Sequence, residues 1–343
     1  MMLAVSVPPV MRALELRGYG APTTDLVVVQ KPTPRPGPGQ VLVRIAASPI
    51  NPSDLAFVRG MYGTRKPLPV VPGLEGSGTV VAAGRGLYPR FLVGKRVACA
   101  AGEGDGAWAE YMVTRAMLCM PLPGTISLEQ GAMSIVNPLT AWALMEIARR
   151  GGHRGIVQTA AASALGKMIL RLGNRRRVPV IHVVRRPPHV ELLRSLGADA
   201  DAVLDSSQPD FDARLRAACH QRHATIAFDA VAGEMTGRLL EAMPRRSKII
   251  VYGALSLEAC RVNARQLIFE GKRVEGFWLP QPAPLSTLSI LRGTAAVRSR
   301  LATEFESEVR LRLPLEAASQ GLEQYAAHMT EGKVLLMPQT APA

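Results

Sequence analysis

The stretch Gly155–Met168, GIVQTAAASALGKM, decides how the second half of the chain is read. Two β-branched residues, Ile156 and Val157, are followed by small residues and then by an apolar helical pattern. This order predicts a strand, a tight turn and the start of a helix, as in a dinucleotide-binding unit. A full G-x-G-x-x-G pattern has three glycines, whereas the turn itself contains only Gly166. The turn alone therefore leaves two alternatives, a nucleotide-binding turn or an ordinary buried strand and helix.

A dinucleotide turn brings backbone N–H groups to a pyrophosphate at the N-terminus of a helix. The positions that would approach the pyrophosphate are Ala162, Ser163, Ala164 and Leu165, and Ser163 adds a hydroxyl donor. Alanine and serine allow this approach where φ is negative, whereas a positive φ at Ala164 would cost roughly 1–2 kcal/mol. Gly166 is expected to allow tight packing of the helix on the strand.

The end of the following strand bears on the choice of cofactor. An NAD site places an acidic residue about 20 residues beyond the turn, whereas an NADP site offers arginine for the 2′-phosphate. The predicted strand Val180–Val184 ends directly in Arg185 and Arg186, with no acidic residue there. Two such arginines are typical of a solvated loop or of a 2′-phosphate site. Their register with the turn favours NADPH.

Strands alternate with helices from Asn137 onward, and helical patterns follow the first five strands. The expected strands are Ile156–Thr159, Val180–Val184, Ala202–Leu204, Thr225–Asp229, Lys248–Tyr252 and Arg273–Trp278. Six strands with intervening helices predict an α/β fold with a doubly wound parallel sheet.

The preceding part, residues 11–130, is rich in proline, glycine and short β-like runs. Closely spaced strands with Gly/Pro turns predict a small β-rich, barrel-like domain. Residues 1–10 are expected to form a disordered extension. The tail after Leu279–Pro284 contains one short strand, Lys333–Met337, and we place it on the first domain. The other expected strands are Leu26–Gln30, Gln40–Ser48, Ser77–Gly84 and Lys95–Ala100.

The composition excludes several classes of protein. The chain has 343 residues, of which 48% are hydrophobic, as in a globular protein with two domains. It contains no apolar run of about 18 residues, so we expect no membrane span. The formal net charge of +14 permits phosphate-bearing or acidic partners, but no RNA-binding motif accompanies it. The N-terminus does not resemble a targeting signal, and a cytoplasmic location is expected.

Cysteine and histidine spacing predicts neither disulfides nor a metal site. Cys99, Cys119, Cys219 and Cys260 are widely spaced and form no C-x-x-C pair, which fits a reducing compartment. His220 and His223 stand three residues apart beside Cys219 without a further ligand cluster, so we expect a surface feature there and no metal.

Candidate chemistry outside the turn comes from aromatic residues. Tyr62 lies in an irregular loop that follows the helix-start signal Asn51–Asp54. A phenol has a pKa near 10, so it can donate a proton to a developing carbanion or enolate. Phe277 and Trp278 end the sixth strand, at the sheet edge where ligands bind, although a core role is the default interpretation of this pair.

Nine stretches together resemble the zinc-independent branch of the medium-chain dehydrogenase/reductase superfamily, and most closely its 2-enoyl thioester reductases. NADPH:quinone reductases of the superfamily share many of these pieces. The resemblance implies a GroES-like catalytic domain at 11–134 and 284–343, a Rossmann domain at 135–283, bound NADPH and a homodimer. The stretches are SPINPSDLAFVRGMYG, PVVPGLEGSGTVVAAG, GAWAEYM, VNPLTAW, GIVQTAAASALGKM, VVRRPP, VYGAL, LIFEGKRVEGFWL and GKVLLM.

The resemblance also implies roles for single residues. Tyr62 matches the proton donor, and Leu74 replaces the histidine of the GHE motif of zinc alcohol dehydrogenases, which implies no catalytic zinc. The usual turn resembles NSGVG, so ASALG lacks the asparagine and has Ala164 in place of a glycine. Residues that match cofactor contacts are Asn137, Ala162, Ser163, Ala164, Leu165, Arg185, Arg186, Pro187, Tyr252, Gly253, Ala254, Leu255, Phe277, Trp278, Leu279 and Lys333.

The predicted function is NADPH-dependent reduction of an activated C=C bond, with a trans-2-enoyl thioester on CoA or acyl carrier protein as substrate. Hydride would go to the β-carbon, and Tyr62, directly or through water, would protonate the α-carbon of the enolate. Backbone N–H groups or a ribose hydroxyl would stabilise the enolate oxygen. One alternative is an NADPH:quinone oxidoreductase, which needs no such tyrosine. The other is a non-catalytic nucleotide- or RNA-binding protein on a reductase fold, which the glycine-poor turn would suit.

Overall fold

The computed structural model describes residues 7–20, 22–281 and 285–339. Described residues up to Asn137 and from Thr294 onward form one compact unit, and those of Pro138–Gly293 form a second unit. The sequence analysis drew its domain boundaries at 134/135 and 283/284, and residues 283 and 284 lie outside the described part. The described residues Val7–Pro9 precede the first strand, and residues 1–6 of the predicted extension are not among those described.

The described residues contain fifteen strands, numbered in chain order: β1 (Val10–Leu16), β2 (Leu26–Pro32), β3 (Gln40–Pro49), β4 (Glu75–Ala83), β5 (Arg96–Ala100), β6 (Tyr111–Arg115), β7 (Cys119–Pro121), β8 (Gly155–Gln158), β9 (Val180–Val184), β10 (Val203–Asp205), β11 (Ala224–Asp229), β12 (Lys248–Val251), β13 (Arg273–Gly276), β14 (Val309–Leu313) and β15 (Lys333–Leu336).

The α-helices of the same residues are α1 (Pro22–Asp25), α2 (Pro52–Val58), α3 (Leu87–Leu92), α4 (Leu128–Ala132), α5 (Val136–Arg150), α6 (Ala164–Arg176), α7 (Pro187–Ser195), α8 (Phe211–Gln221), α9 (Glu234–Ala242), α10 (Ala264–Glu270), α11 (Thr287–Arg298) and α12 (Ala318–Ala327). Short 3₁₀ turns occur at Ala116–Leu118, Ala200–Ala202 and Leu315–Ala317.

The first unit is built on a seven-stranded sheet. Its strand order is β14-β15-β3-β4-β5-β7, and β6 pairs with β3 beside this path. The long strand β3 is buried over most of its length because it pairs with β4, β6 and β15. A separate antiparallel ribbon joins β1 to β2, from Val10 opposite Pro32 to Leu16 opposite Leu26. Val10 therefore belongs to a strand, although the sequence analysis assigned it to a disordered extension.

The second unit contains a six-stranded sheet in the order β10-β9-β8-β11-β12-β13, and all of its neighbouring strands are parallel. This is the 3-2-1-4-5-6 order of the dinucleotide-binding fold. The central strands β8 and β11 are almost fully buried because helices cover a doubly wound sheet on both faces. The predicted α/β class with a doubly wound parallel sheet is confirmed. The order reverses between β8 and β11, so their carboxyl ends mark the ligand crevice.

Helix α6 packs closely on the segment that leads into it. A Cβ atom placed on Gly166 would lie 2.3 Å from the carbonyl oxygen of Ala161, which is far inside van der Waals contact. Only glycine fits this contact without a backbone shift. None of the helices in the described part of the chain has both the length and the apolar character needed to cross a bilayer.

Replacing Gly166 by alanine should destabilise the second unit. The added methyl would force the start of α6 away from Ala161, and overpacking of this kind costs roughly 1–3 kcal/mol. Urea unfolding of the Gly166→Ala variant measures the loss. The matched control is Gly276→Ala in the same unit, where an added Cβ meets nothing within 4 Å. Equal unfolding free energies of the two variants would show that the close contact at Gly166 does not contribute to stability.

Candidate active site

The turn between β8 and α6 is an N-capped helix start. Ser163 has extended backbone geometry, and its Oγ accepts the N–H of Gly166 at 3.1 Å. The Ser163 carbonyl accepts the N–H of Lys167 at 2.9 Å and so begins the helical ladder. Serine is a preferred N-cap because its hydroxyl satisfies one of the unpaired amides of the first turn. The Ser163 oxygen therefore serves the helix start as an acceptor, and this bond does not use the O–H proton that the sequence analysis assigned to a pyrophosphate.

The remaining amides of the turn are free to bind an anion. Ala164 is helical, and Ala160, with φ 49°, is the non-glycine residue of this turn in the left-handed region. The cost of a positive φ, which the sequence analysis considered for Ala164, therefore applies to Ala160, which precedes the four positions that would approach the pyrophosphate. Within the described residues, no protein acceptor receives the N–H groups of Ala162, Ala164 or Leu165. Free amides at a helix N-terminus form an anion site, so this turn fits a pyrophosphate without the usual glycine.

Two side chains that the sequence analysis missed fasten the turn to the neighbouring strand. Thr159, the first residue after β8, donates its hydroxyl to Asp229 Oδ1 at 2.9 Å and accepts the N–H of Ala230 at 2.8 Å. The other oxygen of Asp229 accepts the Thr236 hydroxyl at 2.7 Å. These bonds link the carboxyl ends of β8 and β11 at the switch point. Their only sequence signal is a polar residue at the end of each strand.

A second buried pair lies behind the turn. Gln158 Nε2 donates to the Gly166 carbonyl at 3.0 Å and lies 2.7 Å from His182 Nδ1. Burial lowers the pKa of His182 to about 4, so its imidazole is neutral near pH 7 and Nδ1 can accept the amide proton. The pair spans β8 and β9 and limits the positions that the start of α6 can take.

The arginine pair follows β9 as the sequence predicted. Arg185 and Arg186 are exposed, and Arg186 is the N-cap residue of α7. No hydrogen-bond or ion-pair partner holds either guanidinium among the residues that the structure describes. Arg185 lines a surface cavity together with residues that follow the next strands, among them Ser207, Ala232 and Ser256. Free guanidinium groups at this sheet edge fit a phosphate monoester.

The other predicted contacts in this unit also follow strand ends. Tyr252, Gly253, Ala254 and Leu255 come directly after β12, and the Tyr252 N–H donates to the Asp229 carbonyl at 2.9 Å. The Tyr252 hydroxyl is buried without a partner among the described residues, and burial raises its pKa. Three residues follow β13: Phe277, Trp278 and Leu279. The structure brings these residues to the carboxyl edge of the sheet, and their contact with a cofactor stays a prediction.

Two predicted residues of the first unit are half-buried. Tyr62 lies in the loop after α2, and its ring packs edge to face on Phe57 with centroids 6.5 Å apart. Asn137 is the second residue of α5. The two residues before it, Ile135 and Val136, both donate their backbone N–H groups to Glu75 Oε2 at 3.0 Å. The roles assigned to Tyr62 and Asn137 stay predictions.

Lys333, predicted as a cofactor contact, lies in a buried polar cluster of the first unit. Its ammonium donates to Asn51 Oδ1 and lies 3.4 Å from the Tyr325 hydroxyl, and the residue is 2% exposed. The Asn51 side chain in turn donates to Glu75 Oε1 at 2.9 Å. Asp54 accepts the backbone N–H groups of Asn51 and Leu74 at 2.8 and 3.0 Å. The sequence analysis used Asn51–Asp54 as a helix-start signal and did not predict this cluster.

Burial brings the acidic and basic groups of the cluster toward similar proton affinity. It raises the pKa of Asp54 to about 7 and also raises the pKa of Glu75. It lowers the pKa of Lys333 to about 8, although the charges of Glu75 and Asp54 oppose this shift. The pKa of each group departs from its ordinary value because a low-dielectric environment disfavours the charged form of that group. The Asp54 carboxyl therefore titrates near neutral pH, which is unusual for an aspartate.

The described part of the chain contains no group of three or more His, Cys, Asp or Glu side chains placed to hold a metal ion. Leu74, at the position of the zinc-ligating histidine in the resembled alcohol dehydrogenases, offers no ligand atom. His220 lies in the last turn of α8 and His223 just beyond it.

Comparison with known protein families identifies two domains along the chain. The model for the alcohol dehydrogenase GroES-like domain matches residues 37–124. The model described as zinc-binding dehydrogenase matches residues 164–291. The first match lies in the unit with the seven-stranded sheet, and the second begins at the first residue of α6.

Known proteins similar to this chain include reductases and a protein that binds NADPH. A Mesorhizobium loti protein provisionally described as an NADPH:quinone reductase is 37% identical, with a TM-score of 0.88, and the match covers 97% of this chain and all of that one. A mycobacterial protein crystallised with NADPH is 25% identical, with a TM-score of 0.81, over 96% of this chain and 100% of that chain. Bovine (Bos taurus) mitochondrial enoyl-[acyl-carrier-protein] reductase is 29% identical over 284 residues, which cover 81% of this chain and 75% of that protein.

The buried carboxyl of Asp54 should make stability depend on pH. The folded state holds a proton up to pH about 7, whereas the unfolded chain releases it near 3.8. Because the folded-state pKa is the higher one, this contribution to stability is complete below pH 3.8 and is lost as the pH rises through about 7. Asp54→Asn should therefore show a smaller decline in unfolding free energy between these pH values than the wild type.

The measurement is urea unfolding at a series of pH values, and the comparison is between pH slopes, since the variant also loses a hydrogen bond. Asp201→Asn, at an exposed aspartate, is the matched control and should keep the wild-type slope. Parallel slopes for wild type and Asp54→Asn would contradict the raised pKa.

Proposed function

Because this chain belongs to the medium-chain dehydrogenase/reductase superfamily and is an NADPH-dependent oxidoreductase, we propose that it reduces the activated C=C bond of a trans-2-enoyl thioester. The acyl group would be carried by CoA or by acyl carrier protein. The observation that carries the NADPH part is the free amides of Ala162, Ala164 and Leu165 at the start of α6. The named function of the bovine relative supports the thioester part.

The residues of the second unit would bind and orient NADPH. The amides at the start of α6 would hold the pyrophosphate, and Arg185 and Arg186 would hold the 2′-phosphate. The Tyr252 hydroxyl, which has no partner within the part of the chain that the structure describes, is a further polar group at this sheet edge. When bound, NADPH supplies the hydride that the β-carbon of the substrate receives.

Tyr62 would supply the proton. Addition at the β-carbon leaves an enolate, and protonation at the α-carbon completes the saturated thioester. The Tyr62 hydroxyl would give this proton directly or through a water molecule, and its ring is oriented by the edge-to-face contact with Phe57. Backbone N–H groups would stabilise the negative charge on the enolate oxygen. Leu74 leaves no ligand for zinc, so we propose that the reaction needs no metal.

Quinone reduction is the second candidate, since the 37% identical Mesorhizobium loti protein is described in that way. The two functions share the NADPH site and differ in their need for a proton donor to carbon. The non-catalytic alternative had one supporting feature, the glycine-poor turn. That support weakens because Ala164 is helical and the neighbouring amides are free.

Three further features remain proposals. A homodimer and the catalytic and cofactor-binding roles of the two domains rest on the resemblance. A cytoplasmic location fits the four cysteines, all of which are free thiols in the structure.

Replacing Tyr62 by phenylalanine separates the two candidate functions. We expect kcat for crotonyl-CoA to fall by roughly 10²–10⁴-fold, the usual contribution of a general acid, with quinone reduction largely unchanged. Initial rates of NADPH oxidation with each substrate measure both effects. Tyr88→Phe, at a partly exposed tyrosine of the same unit, should change neither rate. Wild-type reduction of crotonyl-CoA by Tyr62→Phe would remove Tyr62 from the mechanism.

The arginine pair should determine the choice between NADPH and NADH. Arg185→Ala/Arg186→Ala removes two charged donors to the 2′-phosphate, so the Kd for NADPH should rise by about tenfold or more. The Kd for NADH should stay within about twofold, since NADH lacks that group. Titration of tryptophan fluorescence gives both constants, and Arg154→Ala, at an exposed arginine before β8, is the control. Equal weakening of both cofactors would show that the pair does not bind the 2′-phosphate.

A further inference from the structure

The loop at residues 59–69, here the Tyr62 loop, carries arginines near its proposed proton donor. Arg59 lies three positions before Tyr62, and Arg65 lies three positions after it. Both arginines are exposed, and neither has an ion-pair or hydrogen-bond partner for its guanidinium among the described residues. Two free cationic groups therefore flank Tyr62 in the chain.

Arg65 is held in place although no acidic side chain among the described residues pairs with it. Its guanidinium lies over the ring of Tyr19, 4.8 Å from the centroid, in a cation–π contact. The Tyr19 hydroxyl donates to the Lys66 carbonyl at 2.8 Å and accepts the Lys66 N–H at 3.0 Å. These two bonds fix the backbone next to Arg65. An arginine fixed in this way loses less freedom on binding an anion than an unrestrained surface arginine.

The nearby acidic side chains do not neutralise the arginine. Glu103 and Asp105 are the acidic groups whose charges act on Lys66. Glu103 pairs with Arg115 at 2.6 Å, and Asp105 pairs with Lys31 at 2.6 Å. The Lys66 ammonium itself donates to two backbone carbonyls, at 2.9 and 2.6 Å. Lys66 keeps its charge but uses two of its donors on these carbonyls, so among the described residues the guanidinium groups of Arg59 and Arg65 are the cationic groups of the loop without a hydrogen-bond or ion-pair partner.

One aromatic cluster fixes both Arg65 and Tyr62. The rings of Tyr62 and Phe57 have centroids 6.5 Å apart, those of Phe57 and Tyr19 are 5.9 Å apart, and Arg65 lies on Tyr19. Three successive distances of 4.8, 5.9 and 6.5 Å therefore connect the Arg65 guanidinium, through the rings of Tyr19 and Phe57, to the ring of Tyr62 that would face the α-carbon. This separation lies within the length of an extended pantetheine arm, which joins the thioester sulfur of a CoA or carrier-protein substrate to its first phosphate.

We propose that Arg65 forms a binding site for the phosphate of the carrier that bears the acyl thioester. The site would select phosphopantetheine-linked substrates over simple thioesters, and the proposal rests on the thioester reductase function proposed above. A guanidinium forms paired, charge-assisted hydrogen bonds with phosphate oxygens, and these bonds weaken as salt increases.

Three crotonyl thioesters test the site: crotonyl-CoA, crotonyl-4′-phosphopantetheine and crotonyl-pantetheine, which lacks phosphate. We expect Arg65→Gln to raise KM for the two phosphorylated substrates by about tenfold, with no change in KM for crotonyl-pantetheine or in any kcat. Arg65→Lys should restore part of the loss because it keeps the charge. Arg35→Gln, at an exposed arginine of the same unit, is the charge-matched control and should change nothing.

Each result has one meaning. An effect on crotonyl-CoA alone supports the site and assigns its ligand to the nucleotide phosphates of CoA. An equal effect on all three substrates, or no effect, overturns the proposal. If the wild type reduces none of the thioesters, the proposed function fails. The phosphate site is then tested on its own by calorimetric measurement of the Kd for free CoA. A Kd for CoA that is about tenfold weaker in Arg65→Gln retains the site, and an unchanged Kd overturns it.

Discussion

The second unit depends on the contact between Gly166 and the carbonyl of Ala161. Because no side chain separates them, α6 starts directly on the segment that leaves β8. Among the described residues, this position leaves the amides of Ala162, Ala164 and Leu165 without protein partners. The bonds from Thr159 to Asp229 and from Gln158 to Gly166 then hold the turn against β11 and within the sheet. A helix start placed farther out would lose both the packing and the alignment of these amides.

Much of this unit could be predicted from the sequence because its signals are local. Alternating strands and helices follow from apolar runs and turn residues, and the parallel order follows from the rule for crossover connections. The register of Arg185 with the turn required only a residue count along the chain. The conformation of the turn could not be predicted in this way, since nothing local distinguishes Ala160 from Ala164 as the residue with positive φ. That choice depends on where α6 packs.

The buried cluster of the first unit shows the opposite case. Asn51 and Lys333 are 282 positions apart, and they meet only because β15 pairs with β3, so no spacing rule reveals the contact. A lysine in an apolar strand is normally expected at the surface. Here the charges of Glu75 and Asp54 oppose the lowering of the Lys333 pKa, although burial raises the pKa of both carboxyls. Replacing Lys333 by an apolar residue would remove the donor to the buried Asn51 Oδ1, so the cluster constrains how the C-terminal strand joins the sheet.

The left-handed conformation of Ala160 has a consequence for ligand entropy. Glycine at that position would relax the folded turn but would also give the free protein more alternative turn conformations. Alanine is strained in this conformation, but it reduces the number of backbone conformations that the turn can adopt without a ligand. The amides at the start of α6 are therefore aligned before an anion arrives, and binding requires little further ordering. A turn that lacks two of its three usual glycines thus becomes a preorganised one.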